Sequence, residues 1–315
     1  MKRYLSVLFF ILPLFSLFAQ EKNYNEQEVS IPTKTVKITG TLLSPKGIEK
    51  PSLVILIPGS GPTDRDGNNS MMRNNSLKFL AENLADNNIA SYRFDKSVLS
   101  IDKNDTIAVK KVTFSSFINE AKEVVSYFKN SNNYSNLIVA GHSQGSLVGM
   151  VASQNNVDGY ISLAGAGRTI DEVLVEQIEK QAPFLKEESV RIVTELKKGN
   201  TVEDFNPMLI SLFKKQVQPF LSEWMQYNPQ NEIKKLTIPV LIINGSKDIQ
   251  VNTTEAELLH QSNQNSKLYI IENMNHLFKE VKGDINENIQ TYNNPNLPVM
   301  VELINIISTF VNEIK

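Results

Sequence analysis

Two periodicities share this chain. Short runs of consecutive apolar residues alternate with longer stretches in which apolar positions recur every three or four residues. Val36–Leu43 (β-branched, leading to Pro45), Ser52–Ile57 (SLVILI), Ile89–Phe94 (IASYRF) and Asn136–Ala140 (NLIVA) are of the first kind, as are GYISLAG, PVLIING and KLYII. Short apolar runs of this length, bounded by turn formers, read as strands. Between them, Leu77, Leu80, Ala81 and Leu84 share one helical face, and Phe117, Ala121, Val124 and Phe128 share another. Leu147, Val148, Val151 and Ala152 mark a third helix, and Met300, Leu303, Ile304, Ile307, Phe310, Val311 and Ile314 a last one. Strands that alternate with helices predict an α/β chain: a mostly parallel central sheet with helices on both faces.

The alternation lapses between Arg168 and Lys235. IDEVLVEQIEKQ, EESVRIVTELKKG and MLISLFKKQVQPFLSEWMQYNP carry helical patterns and no strand, the last interrupted by Pro219 and closed by Pro229. The reading is a helical cap inserted into a sheet domain, with residues 20–167 and 236–315 as the two parts of the core and 168–235 between them. Insertions at strand carboxyl ends overhang the crevice where open α/β sheets bind ligands. A peripheral helical layer with no role at a site is the plainer alternative.

Composition narrows the function classes. At 41% apolar and 21% charged residues, with net charge −2 and no basic block, the chain is globular and nucleic acid is not the expected partner. It has no cysteine, which excludes disulfides, thiol nucleophiles and thiolate metal sites. Residues 1–19 differ from the rest: Lys2 and Arg3 precede an apolar run to Phe18, followed by Ala19 and polar QEKNYNEQ. That pattern predicts a signal peptide cleaved after Ala19 or Gln20, hence export without stable membrane insertion afterwards. An uncleaved N-terminal anchor is the alternative. Nothing in the sequence speaks to oligomeric state.

The strongest chemical motif is Gly141-His142-Ser143-Gln144-Gly145, a G-x-S-x-G between a strand and a helix. The two glycines allow the close backbone approach that exposes Ser143 on a sharp turn. A serine hydroxyl needs a base, and the chain has three histidines. His142 lies inside the turn, with its side chain expected to point away from Ser143, and His260 lies in a helical run. His276 follows the last strand, where a base can reach Ser143. Asp248, past the strand PVLIING, is placed to orient the imidazole, although an acidic residue after Gly-Ser also reads as a helix cap.

The order Ser143, Asp248, His276 is that of α/β-hydrolases. GSGPTDRDGN, YRFDKS, GHSQGS, QPFLSEWMQYNP, IPVLIINGSKDIQV and NMNHLFK resemble recurring segments of that family, in particular of its bacterial serine aminopeptidase-like hydrolases and thermophilic esterase D-type esterases. The closing YNNPNLPVMVELINIISTFV is similar as well. Ser97 departs from the pattern, since relatives often continue YRFDK with Arg-Gly. The resemblance implies the α/β-hydrolase fold with its helical cap, and esterase-like carboxyl hydrolysis.

The loop LIPGSGPTDRDGNN (Leu56–Asn69) then takes its meaning from position. Read as a cation loop from Asp64, it puts Asn69 where glycine is required and Asn75 where a bidentate glutamate is required. It also lacks the Gly-Lys-Ser/Thr of a phosphate loop. Acyl transfer needs two N–H donors for the developing oxyanion. Gln144 supplies one, and this loop the other, through Ser60 or, as the fallback, Gly61. Asp64, Arg65 and Asp66 read as braces to neighbours such as Asp95 or Arg93, with a substrate carboxylate as the alternative partner of Arg65. The expected activity is cofactor-free serine hydrolysis of a small ester. A peptidase or aminopeptidase on short peptides, and a non-catalytic binding protein on a hydrolase scaffold, are the alternatives.

Overall fold

The computed structural model describes residues 22–33, 37–102, 105 and 111–314. The expected signal peptide, residues 1–19, lies outside them. Among the described residues no helix is long and apolar enough to cross a membrane.

Eight strands among the described residues form one sheet. They are β1 (Tyr24–Pro32), β2 (Lys37–Pro45), β3 (Leu53–Ile57), β4 (Ala90–Phe94), β5 (Leu137–His142), β6 (Gly159–Leu163), β7 (Val240–Gly245) and β8 (Lys267–Ile271). Their order is β1-β2-β4-β3-β5-β6-β7-β8. β1 and β2 pair antiparallel, as do β2 and β4, while every pair from β4 to β8 is parallel. Every residue of β3 to β7 is buried, Ser91, Arg93 and Ser162 included, which is why those strands read as predominantly apolar runs. The edges differ. β8 buries only Ile271, and β1 buries only Tyr24 and Ile31 of YNEQEVSIP, so β1 has no apolar run to announce it. Its ladder to β2 holds it instead.

Helices α1 (Ser76–Asp86), α2 (Phe114–Ser131) and α3 (Gln144–Ala152) fill the early crossovers. Five helices follow β6: α4 (Ile170–Gln181), α5 (Lys186–Lys197), α6 (Ile210–Phe213), α7 (Gln218–Trp224) and α8 (Pro229–Lys234). After β7 come α9 (Thr253–Ser262), α10 (Ile285–Thr291) and α11 (Val301–Glu313). One face of the sheet packs against α1 and α11 through Leu77, Leu80, Leu303 and Ile307. The other packs against α2, α3 and α9 through Phe117, Val124, Leu147 and Leu259. The predicted layering is therefore present, and the helical faces named from the sequence are the buried ones.

Helices α4 to α7 hold a separate apolar cluster with Leu174, Ile178, Ile192, Leu196, Phe213 and Leu221 at its centre. Aromatic stacking joins it to the sheet domain: Trp224 lies parallel to Phe114 at 5.5 Å, and Phe220 meets Phe114 and Phe117 edge-on. At the root of the segment, the backbone N–H groups of Gly167 and Arg168 both donate to the buried Glu255 carboxylate, each at 2.9 Å.

Candidate active site

Ser143 occupies the turn between β5 and α3 with φ 54° and ψ −120°. A non-glycine residue there carries strain of about 1–3 kcal/mol, and its surroundings must hold it in place. The flanking glycines provide that constraint. A Cβ on Gly141 would meet Gly145 O at 2.1 Å, and one on Gly145 would meet Ile57 O at 2.5 Å and Pro58 O at 2.6 Å. Both positions accept only glycine, and the second brings the Leu56–Asn69 loop against the turn. Gln144 is the first residue of α3, so its N–H has no intrahelical acceptor.

Asp248 sits three residues past β7 and is held by its own turn: Oδ1 accepts from the N–H of Gln250 at 2.8 Å and of Val251 at 2.9 Å. It is not the cap of α9; Asn252 is, accepting from Thr254 N–H. The other oxygen, Oδ2, accepts from His276 Nδ1 at 2.7 Å, with the two side chains 0% and 3% exposed. A carboxylate there requires the proton on Nδ1, which leaves Nε2 as the basic nitrogen.

The His276 loop is fixed by Asn275, whose Oδ1 accepts from Leu277 and Lys279 N–H, both at 3.0 Å. Its amide donates to Asn288 at 3.0 Å and Thr291 at 2.7 Å on α10. His142 completes the support. Its ring lies 4.7 Å from the His276 ring, and its Nε2 donates to His276 O at 2.9 Å. Burial first, and the neighbouring His276 second, push the His142 pKa down to about 3, so the ring is neutral. The sequence reading gave His142 no part, expecting its side chain to point away from Ser143; it lies against His276. His260 is on α9, with Nδ1 on Ser266 Oγ at 2.8 Å. Ser143 is brought to the same strand ends as the Asp248–His276 pair, but its hydroxyl makes no hydrogen bond to the ring among the described residues.

Ser60, Ser143 and Gln144 line one cavity of about 330 Å³. Leu147 of α3 lines it from the sheet domain, and Leu212, Leu221 and Trp224 line it from the helical segment. Ser60 N–H has no backbone acceptor among the described residues, and Thr63 Oγ1 donates to Ser60 O at 2.7 Å. The charged half of the loop faces elsewhere. Arg65 donates to Asp95 through Nε at 3.0 Å and Nη2 at 2.6 Å, and to Thr41 Oγ1 through Nη1 at 3.0 Å. Arg93 Nε donates to Asp66 Oδ1 at 2.8 Å, and Asp64 Oδ1 accepts from the N–H of Asp66 and Asn68. Among the described residues no group of three or more His, Asp or Glu side chains is placed to hold a metal ion.

Three solved structures match this architecture over more than nine-tenths of the chain. Est1E from Butyrivibrio proteoclasticus aligns with a TM-score of 0.58 at 19% identity, covering 91% of this chain and 99% of that one. The Pyrococcus furiosus esterase Pf2001 aligns at 0.59 and 17% identity, covering 92% and 91%. The alpha/beta hydrolase GrgF from a Penicillium species aligns at 0.59 and 15% identity, covering 92% and 99%. The chain has the α/β-hydrolase fold. Within that fold, the strand–turn–helix of Ser143 and the loops after β7 and β8 are adjacent at the carboxyl edge of one parallel sheet. Among characterised proteins, Esterase EstD of Thermotoga maritima is 26% identical over 282 residues, 84% of this chain. The match spans 63% of EstD. No family model matches the chain.

Proposed function

We propose that this α/β-hydrolase cleaves small carboxylic esters by two-step acyl transfer. The observation that carries the reading is the Asp248–His276 contact, buried beside the turn that strains Ser143. Ser143 Oγ attacks the ester carbonyl while His276 Nε2 takes its proton. Asp248 holds the imidazole in the required tautomer and stabilises its charged form. Gln144 and Ser60 N–H donate to the oxyanion. His276 then protonates the departing alcohol and activates the water that frees the acyl group. Helices α4 to α8 act as a cap whose Leu212, Leu221 and Trp224 receive the acyl chain, and Arg65 braces the loop. EstD and Pf2001, both named as esterases, support the ester class. Lys2, Arg3 and the apolar run to Phe18 support export through a signal peptide.

The test is turnover of p-nitrophenyl acetate and butyrate against aminoacyl p-nitroanilides. Ester turnover is expected, with Ser143→Ala lowering kcat at least about 10³-fold at unchanged Tm. Full turnover by Ser143→Ala would sink the mechanism, and cleavage of anilides alone would assign the chain to peptide substrates.

A further inference from the structure

Lys96 is the least expected side chain near the site. It follows β4, is 4% exposed, and forms no ion pair among the described residues. Its Nζ donates to one carbonyl, Gly59 O, at 2.5 Å, and stands 5.0 Å from the centre of the Phe117 ring. The buried Glu120 spends its carboxylate on Ser97 N–H and Oγ. Burying a cation for a single carbonyl is a poor way to stabilise a fold. The value of the contact lies in which carbonyl it grips.

Gly59 C=O and Ser60 N–H belong to one peptide unit. In a trans peptide the two point in opposite directions, so fixing the carbonyl aims the N–H. With Gly59 O pulled into the interior by Lys96, Ser60 N–H is turned outward, where Ser60 lines the cavity beside Ser143. This peptide lies against the nucleophile: a Cβ on Gly59 would stand 3.3 Å from Ser143 Cβ. The reversed peptide would present a carbonyl oxygen to a developing oxyanion, converting a donor into a repulsive acceptor. A charged donor on the carbonyl also polarises the amide and strengthens its N–H.

We infer that Lys96 is a positioning residue of the oxyanion hole, orienting and polarising the Gly59–Ser60 peptide so that Ser60 N–H donates to the transition state. The inference rests on the acyl-transfer reading above. Burial pushes the Lys96 pKa down to about 7, with Glu120 opposing. A cation kept at that disadvantage fits a working group better than a structural one.

The test is Lys96→Met, which keeps the reach of the stem and removes the donor. The expected result is a kcat for p-nitrophenyl butyrate about 10²-fold lower, with KM changed less than threefold and Tm close to wild type. A phenylboronic acid, which forms a tetrahedral anion on serine, binds at least tenfold more weakly to the variant, whereas the neutral butyramide binds equally to both. Lys96→Arg, which retains an N–H for Gly59 O, recovers at least tenfold of the lost kcat. Should the methionine variant not fold, Lys96→Gln, one bond too short to reach the carbonyl, is measured in its place. Wild-type kcat in a folded variant, or equal weakening of boronate and butyramide, overturns the inference. Ser143→Ala in parallel separates the two readings: if it turns over ester normally, the acyl-transfer reading itself has failed.

Discussion

The carboxyl edge of the sheet and the helical segment above it are built by different means. At the edge, backbone constraints hold each polar group. Ser143 is flanked by Gly141 and Gly145, where an added Cβ would come within 2.1–2.6 Å of backbone atoms, Asp248 is held by two N–H donors in its own turn, and His276 by Asn275 and His142. In the segment, an apolar cluster of side chains holds helices to one another, and Phe184, Met208 and Ile210 remain exposed. Backbone constraints fix geometry to fractions of an ångström, whereas packed side chains tolerate exchange at similar volume. Substitutions at the edge should therefore act on kcat, and substitutions in the segment on KM and acyl preference.

The largest effect tests which histidine belongs to the edge. His276→Ala should lower kcat for esters by about 10³–10⁴-fold, and His260→Ala by less than twofold. Asp248→Asn, which disturbs the tautomer while preserving shape, should fall near His276→Ala. Steady-state kinetics on p-nitrophenyl butyrate decides it; equal activity of the two histidine variants would remove His276 from the mechanism.

Next is the buried His142, which holds the underside of the edge. Its folded pKa of about 3 lies below the ordinary 6.5, so between those values the unfolded chain binds the extra proton. Stability from this group is complete well above pH 6.5 and is lost as pH falls between the two values, at up to about 1.4 kcal/mol per pH unit. Denaturant unfolding of the wild type and His142→Gln at pH 6.5 and 4.5 should show the gap between them shrinking by about 2 kcal/mol. A constant gap would mean that the folded ring accepts the proton.

The same division explains what the sequence disclosed. Strands β3 to β7 were legible because burial on both faces keeps most of their positions apolar, with Ser91, Arg93 and Ser162 among the buried polar exceptions. β1 was not, because an edge strand held by ladder bonds needs little apolar content, and α10 was not, because it exposes Ile285 and Ile289. The positions of Ser143, Asp248 and His276 followed from strand ends and chain order, both local properties. Lys96 and His142 act on groups 37 and 134 residues away, and no local pattern marks such a contact. A lysine two residues past a buried strand was the one available signal.

Within the segment, Trp224 is the sharpest probe, since it both lines the cavity and stacks on Phe114. Trp224→Ala should raise KM for p-nitrophenyl hexanoate about tenfold, roughly 1.4 kcal/mol, while leaving KM for the acetate and both kcat values within about threefold. An equal loss of kcat on both esters would move Trp224 from acyl binding to the chemistry and erase the contrast between the layers.

The smallest effect concerns Arg65, where edge and brace meet. Its side chain is 17% exposed, and its guanidinium is occupied by Asp95 and Thr41. A substrate carboxylate would have to displace Asp95 from a paired, partly desolvated contact, leaving that carboxylate unpaired. Arg65→Met should therefore lower Tm by about 2–4 °C, as expected for losing about 1 kcal/mol of bracing. The ratio of kcat/KM for a neutral butyrate ester to that for a hemisuccinate ester should change less than twofold. A selective tenfold loss on the hemisuccinate would instead make Arg65 a substrate contact, and the loop would then contribute specificity as well as a backbone donor.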